Sequence, residues 1–125
     1  MPNSPALKVK IQIYCGEEIA MGPGKADLLD AIAANGSISA AAKAMGMSYR
    51  RAWMLVDAMN RCWSGPLVEA VAGGGHERGA RVTALGEEIL RLYRTMAVAA
   101  EHQAVADFGS GLAAMLASAP KPSQH

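Results

Sequence analysis

A single glycine, Gly46, constrains this chain more than any other residue. It ends an alanine-rich run, Ser37 to Met45 (SISAAAKAM), and a second run opens on Ser48 and continues to Arg61 (SYRRAWMLVDAMNR). Alanine and methionine favour helix, whereas glycine takes the left-handed backbone that closes one. Two helices joined by so short a turn must cross at close range. The residues at the crossing suit it. Ala42 is small where the second helix passes, and Ala41, Met45, Met47, Ala52 and Leu55 are apolar where the two meet. Ser48 is a good N-cap for the second helix, and Ser37 or Ser39 for the first. The second helix has an inner stripe at Ala52, Leu55/Val56 and Met59. Its outer face carries Tyr49, Arg50, Trp53, Asp57, Asn60 and Arg61.

The flanking sequence supplies the rest of a domain. After a loose tail at 1–6, Leu7, Val9, Ile11 and Ile13 alternate with Lys8, Lys10, Gln12 and Tyr14, which predicts a half-buried strand over 7–14. Residues 15–21 read as a connection. Pro23 suits the first turn of a helix, and Leu28, Leu29, Ile32 and Ala33 recur at helical spacing to a stop at Asn35-Gly36. Behind the helix pair, LVEAVA, the glycine-rich loop GGGHERG and ARVT read as strand, loop and returning strand over 66–83. Such a hairpin is a wing. Thr83 can cap a long last helix, in which Leu85, Ile89, Leu92, Met96 and Ala99 are spaced four, three, four and three apart. That spacing is an a/d seam of the kind that pairs two helices. It is interrupted at Gly109-Ser110-Gly111, beyond which Leu112, Met115 and Leu116 can form a further short helix; the tail APKPSQH is disordered by composition.

The expected fold is therefore α+β and mostly helical, one winged helix-turn-helix domain over 1–125. It has an N-terminal strand, a three-helix core over 23–62, the wing, and a C-terminal helical dimerisation region over 83–117.

Charge agrees with this only locally. Twelve basic and eleven acidic residues nearly cancel, but Lys43 to Arg81 holds six Lys/Arg against three acids. A basic middle supplies an electrostatic footprint for double-stranded DNA in a neutral chain. Enzyme chemistry finds no support: His76, His102 and His125 are far apart, and no metal-ligand spacing or nucleophile motif is present. The glycine loop lacks the GK[ST] ending of a nucleotide cradle and precedes a strand. No cofactor is expected. Cys15 and Cys62 match no zinc pattern and read as reduced thiols. With neither a secretory leader nor a membrane span, the expected location is the cytoplasm.

Arg50, in the first turn of the second helix, is placed to pair with guanine O6 and N7. Arg51 and Lys43 are placed for phosphates, with Ser37, Ser39 and Ser48 at the helix starts and Tyr49 beside them. Trp53 can meet a thymine methyl or a sugar, or instead pack against the helix that starts at Pro23 or against the wing. Arg78, Arg81 and His76 can reach phosphates or the minor groove from the wing. A competing reading makes Tyr49, Trp53 and Met54 a protein-docking surface, with no direct reading of DNA.

The combination GSISAAAKAMGMSYRRAW, a following MN pair, LVEAVAGGG and RVTALGEEILRLYR resembles the amino-terminal DNA-binding domain of the ModE family, the molybdate-responsive transcriptional regulators. The helix pair alone is also similar to the LysR type. The resemblance covers about Gly22 to Met96. It implies a homodimer acting on molybdenum-related genes, with recognition by Ser48, Tyr49, Arg50, Arg51 and Trp53. Full-length members bind molybdate in a separate C-terminal oxyanion domain. The 125 residues have neither a counterpart of it nor a SARNQ-like signature. Molybdate sensing is therefore not carried over, and a separate sensor protein is one expected source of any signal.

Overall fold

The computed structural model describes residues 6–72 and 78–124. In chain order the elements are β1 (Ile13–Cys15), β2 (Glu18–Met21), α1 (Pro23–Asn35), α2 (Ile38–Ala44), α3 (Tyr49–Cys62), β3 (Val68–Ala72), β4 (Arg78–Val82), α4 (Ala84–Gly109) and α5 (Leu112–Met115). Two separate antiparallel hairpins, β1-β2 and β3-β4, accompany the helices. The architecture is mostly helical α+β, a helix-turn-helix with a wing behind it.

Helix α1 is the centre of the core. Leu28, Leu29 and Ile32 are wholly buried, with Met21 from β2, Met59 from α3 and Leu67 from the start of the wing. Burial of side chains this size contributes roughly 1.5–3 kcal/mol each. Pro23 stands at the start of α1. Of the two candidates for its close, Gly36 is the one that adopts a left-handed conformation, with φ 77° and its N–H donated to the Ile32 carbonyl. The carbonyl of Gly36 accepts from the Ala80 N–H of β4 at 2.9 Å. A side chain at Gly79 would come within 3.2 Å of that oxygen. The wing thus leans its returning strand on the α1–α2 turn.

The expected strand over 7–14 is corrected in one respect. Leu7, Val9, Ile11 and Ile13 do face inward and Lys8, Lys10, Gln12 and Tyr14 outward. Only Ile13–Cys15 belongs to a ladder, and its partner is Glu18–Met21, inside the stretch expected to be a plain connection. Residues 7–12 are extended but are held by α4 instead. The Val9 N–H donates to the Glu101 carboxylate at 2.9 Å, and the Tyr93 hydroxyl donates to the Ile11 carbonyl at 2.6 Å. Arg94 fastens the same helix to α1 through Asp27 and Asp30.

The a/d seam of α4 divides. Leu85 and Ile89 pack on the domain's own core, whereas Leu92 is 52 % and Met96 40 % exposed. Thr83 caps the helix, its hydroxyl oxygen accepting from the Gly86 N–H while its proton goes to the Pro66 carbonyl. Gly86 has no room for anything larger, since a Cβ there would stand 2.5 Å from the Leu67 carbonyl oxygen and 2.8 Å from a Val82 methyl. Gly86→Ala should therefore destabilise the domain by about 1–3 kcal/mol in urea unfolding. Gly24→Ala, where the added methyl meets nothing, should be neutral or stabilising by up to about 1 kcal/mol.

Candidate nucleic-acid interface

The helix-turn-helix is set by backbone bonds at its turn. The Met47 N–H returns to the Ala42 carbonyl at 3.0 Å, and the Gly46 N–H to Lys43 at 3.2 Å. This pair of bonds is the Schellman closure, and it requires the left-handed φ of 70° that Gly46 supplies. Ala41, Ala42 and Ala52 are buried where α2 and α3 meet. Ser37, not Ser39, caps α2, accepting from the Ala40 N–H at 3.0 Å. Ser48 caps α3, accepting from the Arg51 N–H at 3.1 Å.

The first turn of α3 therefore projects Tyr49, Arg50 and Arg51 into solvent, with Lys43 exposed in the last turn of α2. Among the described residues, no carboxylate pairs with Lys43, Arg50 or Arg51. Nearby cations differ. Arg61 makes two bonds to Glu18, at 2.6 and 2.9 Å, and one to Asp57 at 2.9 Å. These partners, Glu18 first, hold its guanidinium above the ordinary range. Arg81 is bound at 2.6 Å to Glu69, its register partner across the wing. Of the arginines in the basic middle, Arg61 and Arg81 are thus engaged within the fold. Residues 73–77, including His76, lie outside the described residues, as does the Arg78 side chain.

Lys25 is a further cation near α3 that the sequence does not point to. It sits in the first turn of α1 close to Arg51. Partial burial holds its ammonium below the usual lysine range, Arg51 acts in the same direction, and Cys62 and Glu18 oppose both. No spacing rule in the sequence points from residue 25 to residue 51; only the packing of α1 against α3 does so.

Trp53 is 49 % exposed and stands between two depressions. One, of about 560 Å³, lies between α3 and the wing and is lined by Ile38, Ser39, Tyr49, Trp53 and Ala80 among others. The other, of about 510 Å³, follows the opposite side of α3 past Arg50, Arg51 and Met54. The indole thus packs partly toward the wing and keeps a free face.

Asn60 corrects the expected outer face of α3. Its side chain turns toward the wing. Oδ1 accepts from the Leu67 and Val68 N–H groups at 2.8 and 3.1 Å, and Nδ2 donates to the Val68 carbonyl at 3.0 Å. One amide so locks the first residues of the wing to α3. Asn60→Ala should cost about 2–3 kcal/mol by leaving those backbone groups without partners. Faster hydrogen exchange at the Leu67 and Val68 amides would report it.

No protein-family profile matches the chain. It is 39 % identical over 88 residues to the molybdenum transport protein ModE of Azotobacter vinelandii, covering 70 % of this chain and 32 % of that one. It is 45 % identical over 73 residues to the molybdenum-pterin-binding protein MopB of Rhodobacter capsulatus, covering 58 % and 27 %. With the DNA-binding transcriptional dual regulator ModE of Escherichia coli K12 it shares 36 % identity over 91 residues, covering 73 % and 33 %. In shape it is similar to ArgP from Mycobacterium tuberculosis, with a TM-score of 0.47 and 23 % identity over 70 % of this chain and 30 % of that one. The chain spans about a third of the length of the curated relatives it matches. These homologues are regulators and molybdenum-binding proteins, not enzymes. By sequence, the chain is homologous to the N-terminal part of the ModE regulators.

Proposed function

We propose that this chain binds double-stranded DNA as a homodimer in the cytoplasm and regulates molybdenum-related genes. The observation that carries this reading is the set of three cations, Lys43, Arg50 and Arg51, which have no acidic partner among the described residues around the first turn of α3. An exposed helix N-terminus flanked by free cations suits a groove bordered by phosphates. Arg50 is the proposed base reader, with Arg51 and Lys43 on phosphates. Ser37 and Ser48 spend their oxygens on backbone N–H groups, which leaves each hydroxyl proton to donate to a phosphate. Ser39, Tyr49 and Trp53 line the side facing the wing, and Arg78 and Arg81 are the proposed contacts of the wing to the backbone. Arg81 would exchange Glu69 for a phosphate. The names of the relatives support both the DNA and the molybdenum parts. Any molybdate signal is proposed to come from a separate sensor.

For a dimer neutralising roughly 6–10 phosphates, affinity should fall by about 10³–10⁵ between 50 and 200 mM salt. Arg50→Ala should relax discrimination at one base pair by about 1–3 kcal/mol, whereas Lys43→Ala should weaken all sequences alike. A response flat in salt, or two variants with the same uniform loss, would sink these assignments. The exposed Tyr49, Trp53 and Met54 favour a second reading as a protein-docking surface. Failure to retain any of a mixed pool of DNA fragments would favour it.

The dimer is supported by the uncovered stripe of Leu92 and Met96 on α4. Two recognition helices would then enter successive major grooves about 34–36 Å apart. In sedimentation equilibrium the wild type should be a dimer at micromolar concentration and Leu92→Glu a folded monomer. A monomeric wild type would remove the dimer.

A further inference from the structure

Cys15 and Cys62 are separated by most of the core sequence, yet the fold brings them together. Cys62 is the last residue of α3, and both of its neighbours are fastened to β2. Arg61 grips Glu18 at 2.6 and 2.9 Å, and the Trp63 indole N–H donates to the Ala20 carbonyl at 3.0 Å. Glu18 in turn faces Cys15 directly across the β1-β2 ladder. Cys62 is thus held beside β2, and Cys15 lies on the neighbouring strand directly opposite Glu18, so its side chain falls on the same face of the hairpin as the carboxylate that reaches α3. Burial pushes the Cys62 thiol above its ordinary value, and the adjoining Cys15 thiol pushes it in the same direction. Both thiols are free, Cys15 exposed and Cys62 half-buried.

We propose that Cys15 and Cys62 form a reversible intramolecular disulfide in response to peroxide, clamping the N-terminal hairpin to the end of the recognition helix. Cys15 is the accessible sulfur and reacts first. Its thiolate attacks one oxygen of hydrogen peroxide, the O–O bond breaks, and one water leaves after protonation. The resulting sulfenic acid is attacked by the Cys62 sulfur, the S–O bond breaks, and a second water leaves as the S–S bond forms. Two thiols thereby lose two electrons and two protons, and one peroxide becomes two waters. A dithiol reductant reverses the bond by exchange, as expected of a transient disulfide in a reducing compartment. Arg50 lies twelve residues before Cys62 on α3, about 18 Å along the axis. The clamp should therefore act on stability and leave the candidate DNA contacts in place.

The test uses the whole chain, reduced, then exposed to stoichiometric hydrogen peroxide. The expected result is loss of both thiols without interchain crosslinks, and a mapped peptide joining Cys15 to Cys62. The melting temperature should rise by at least about 5 °C, because the bond closes a long loop of the unfolded chain, and dithiothreitol should reverse it. Cys62→Ser should abolish the rise and leave Cys15 as a sulfenic or sulfinic acid. Persistence of both wild-type thiols, oxidation of Cys15 alone, or Cys15–Cys15 bonds between chains would overturn the proposal. An intramolecular bond with no rise in melting temperature would overturn the clamp. DNA affinity is read separately, so its failure would count against the proposed function and not against this bond.

Discussion

The peptide groups flanking Leu67 hold three parts of the molecule in one place. The N–H of Leu67 is taken by Asn60 of α3, its carbonyl oxygen accepts from the Thr83 N–H, and Gly86 of α4 lies against that same carbonyl. Its side chain is wholly buried in the core. Helix α3, the wing and α4 therefore share one anchor. Their relative directions are fixed by short bonds, because no extended sheet is present among the described residues to do so. A domain with two small hairpins has few backbone ladders to set angles. Side-chain clips such as Asn60, and close contacts that only glycine permits, take over that task.

Electrostatics divides the cations by role. Arg61, Arg81, Arg91 and Arg94 each hold a carboxylate within 3 Å. These pairs are exposed and screened by solvent, so each contributes little to stability. Their larger effect is on the field, since each pair is nearly neutral at a distance. Among the described residues, Lys43, Arg50 and Arg51 are left without a carboxylate around the first turn of α3, where the helix dipole adds positive potential of its own; Lys8 and Lys10 are likewise unpaired on the N-terminal segment. A chain of near-zero net charge can present a focused positive face in this way.

Local signals in the sequence were legible where their partners lie within a few residues. Gly36 and Gly46 close helices through bonds three to five residues back, and the Ser48 and Thr83 caps reach three residues forward. Helical phase likewise places Arg50 and Arg51 outside and Ala52 and Met59 inside. Alternation over 7–13 gave the buried face but not the neighbour, because a half-buried strand looks the same whether a strand or a helix covers it. The same limit applies to the α4 stripe, whose spacing cannot say that Leu85 and Ile89 belong to the domain's own core. Asn60, Lys25 and the Cys15–Cys62 approach depend on where separate segments meet in space. Nothing in their spacing carries that information.

The long helix α4 is also a lever. Its 26 residues span about 39 Å, so a tilt of about 5° at the Thr83 end displaces the far end by roughly 3 Å. Together with the Arg94 pairs to α1, what resists that tilt is the segment 7–12, which runs beside the helix and touches it at Ile11 and Val9. This segment works as a guy line. Removing one residue from it would exchange its inward apolar side chains for the lysines between them. The reach and angle of everything beyond Glu101 thus depend on the parity of a short stretch near the other end of the chain.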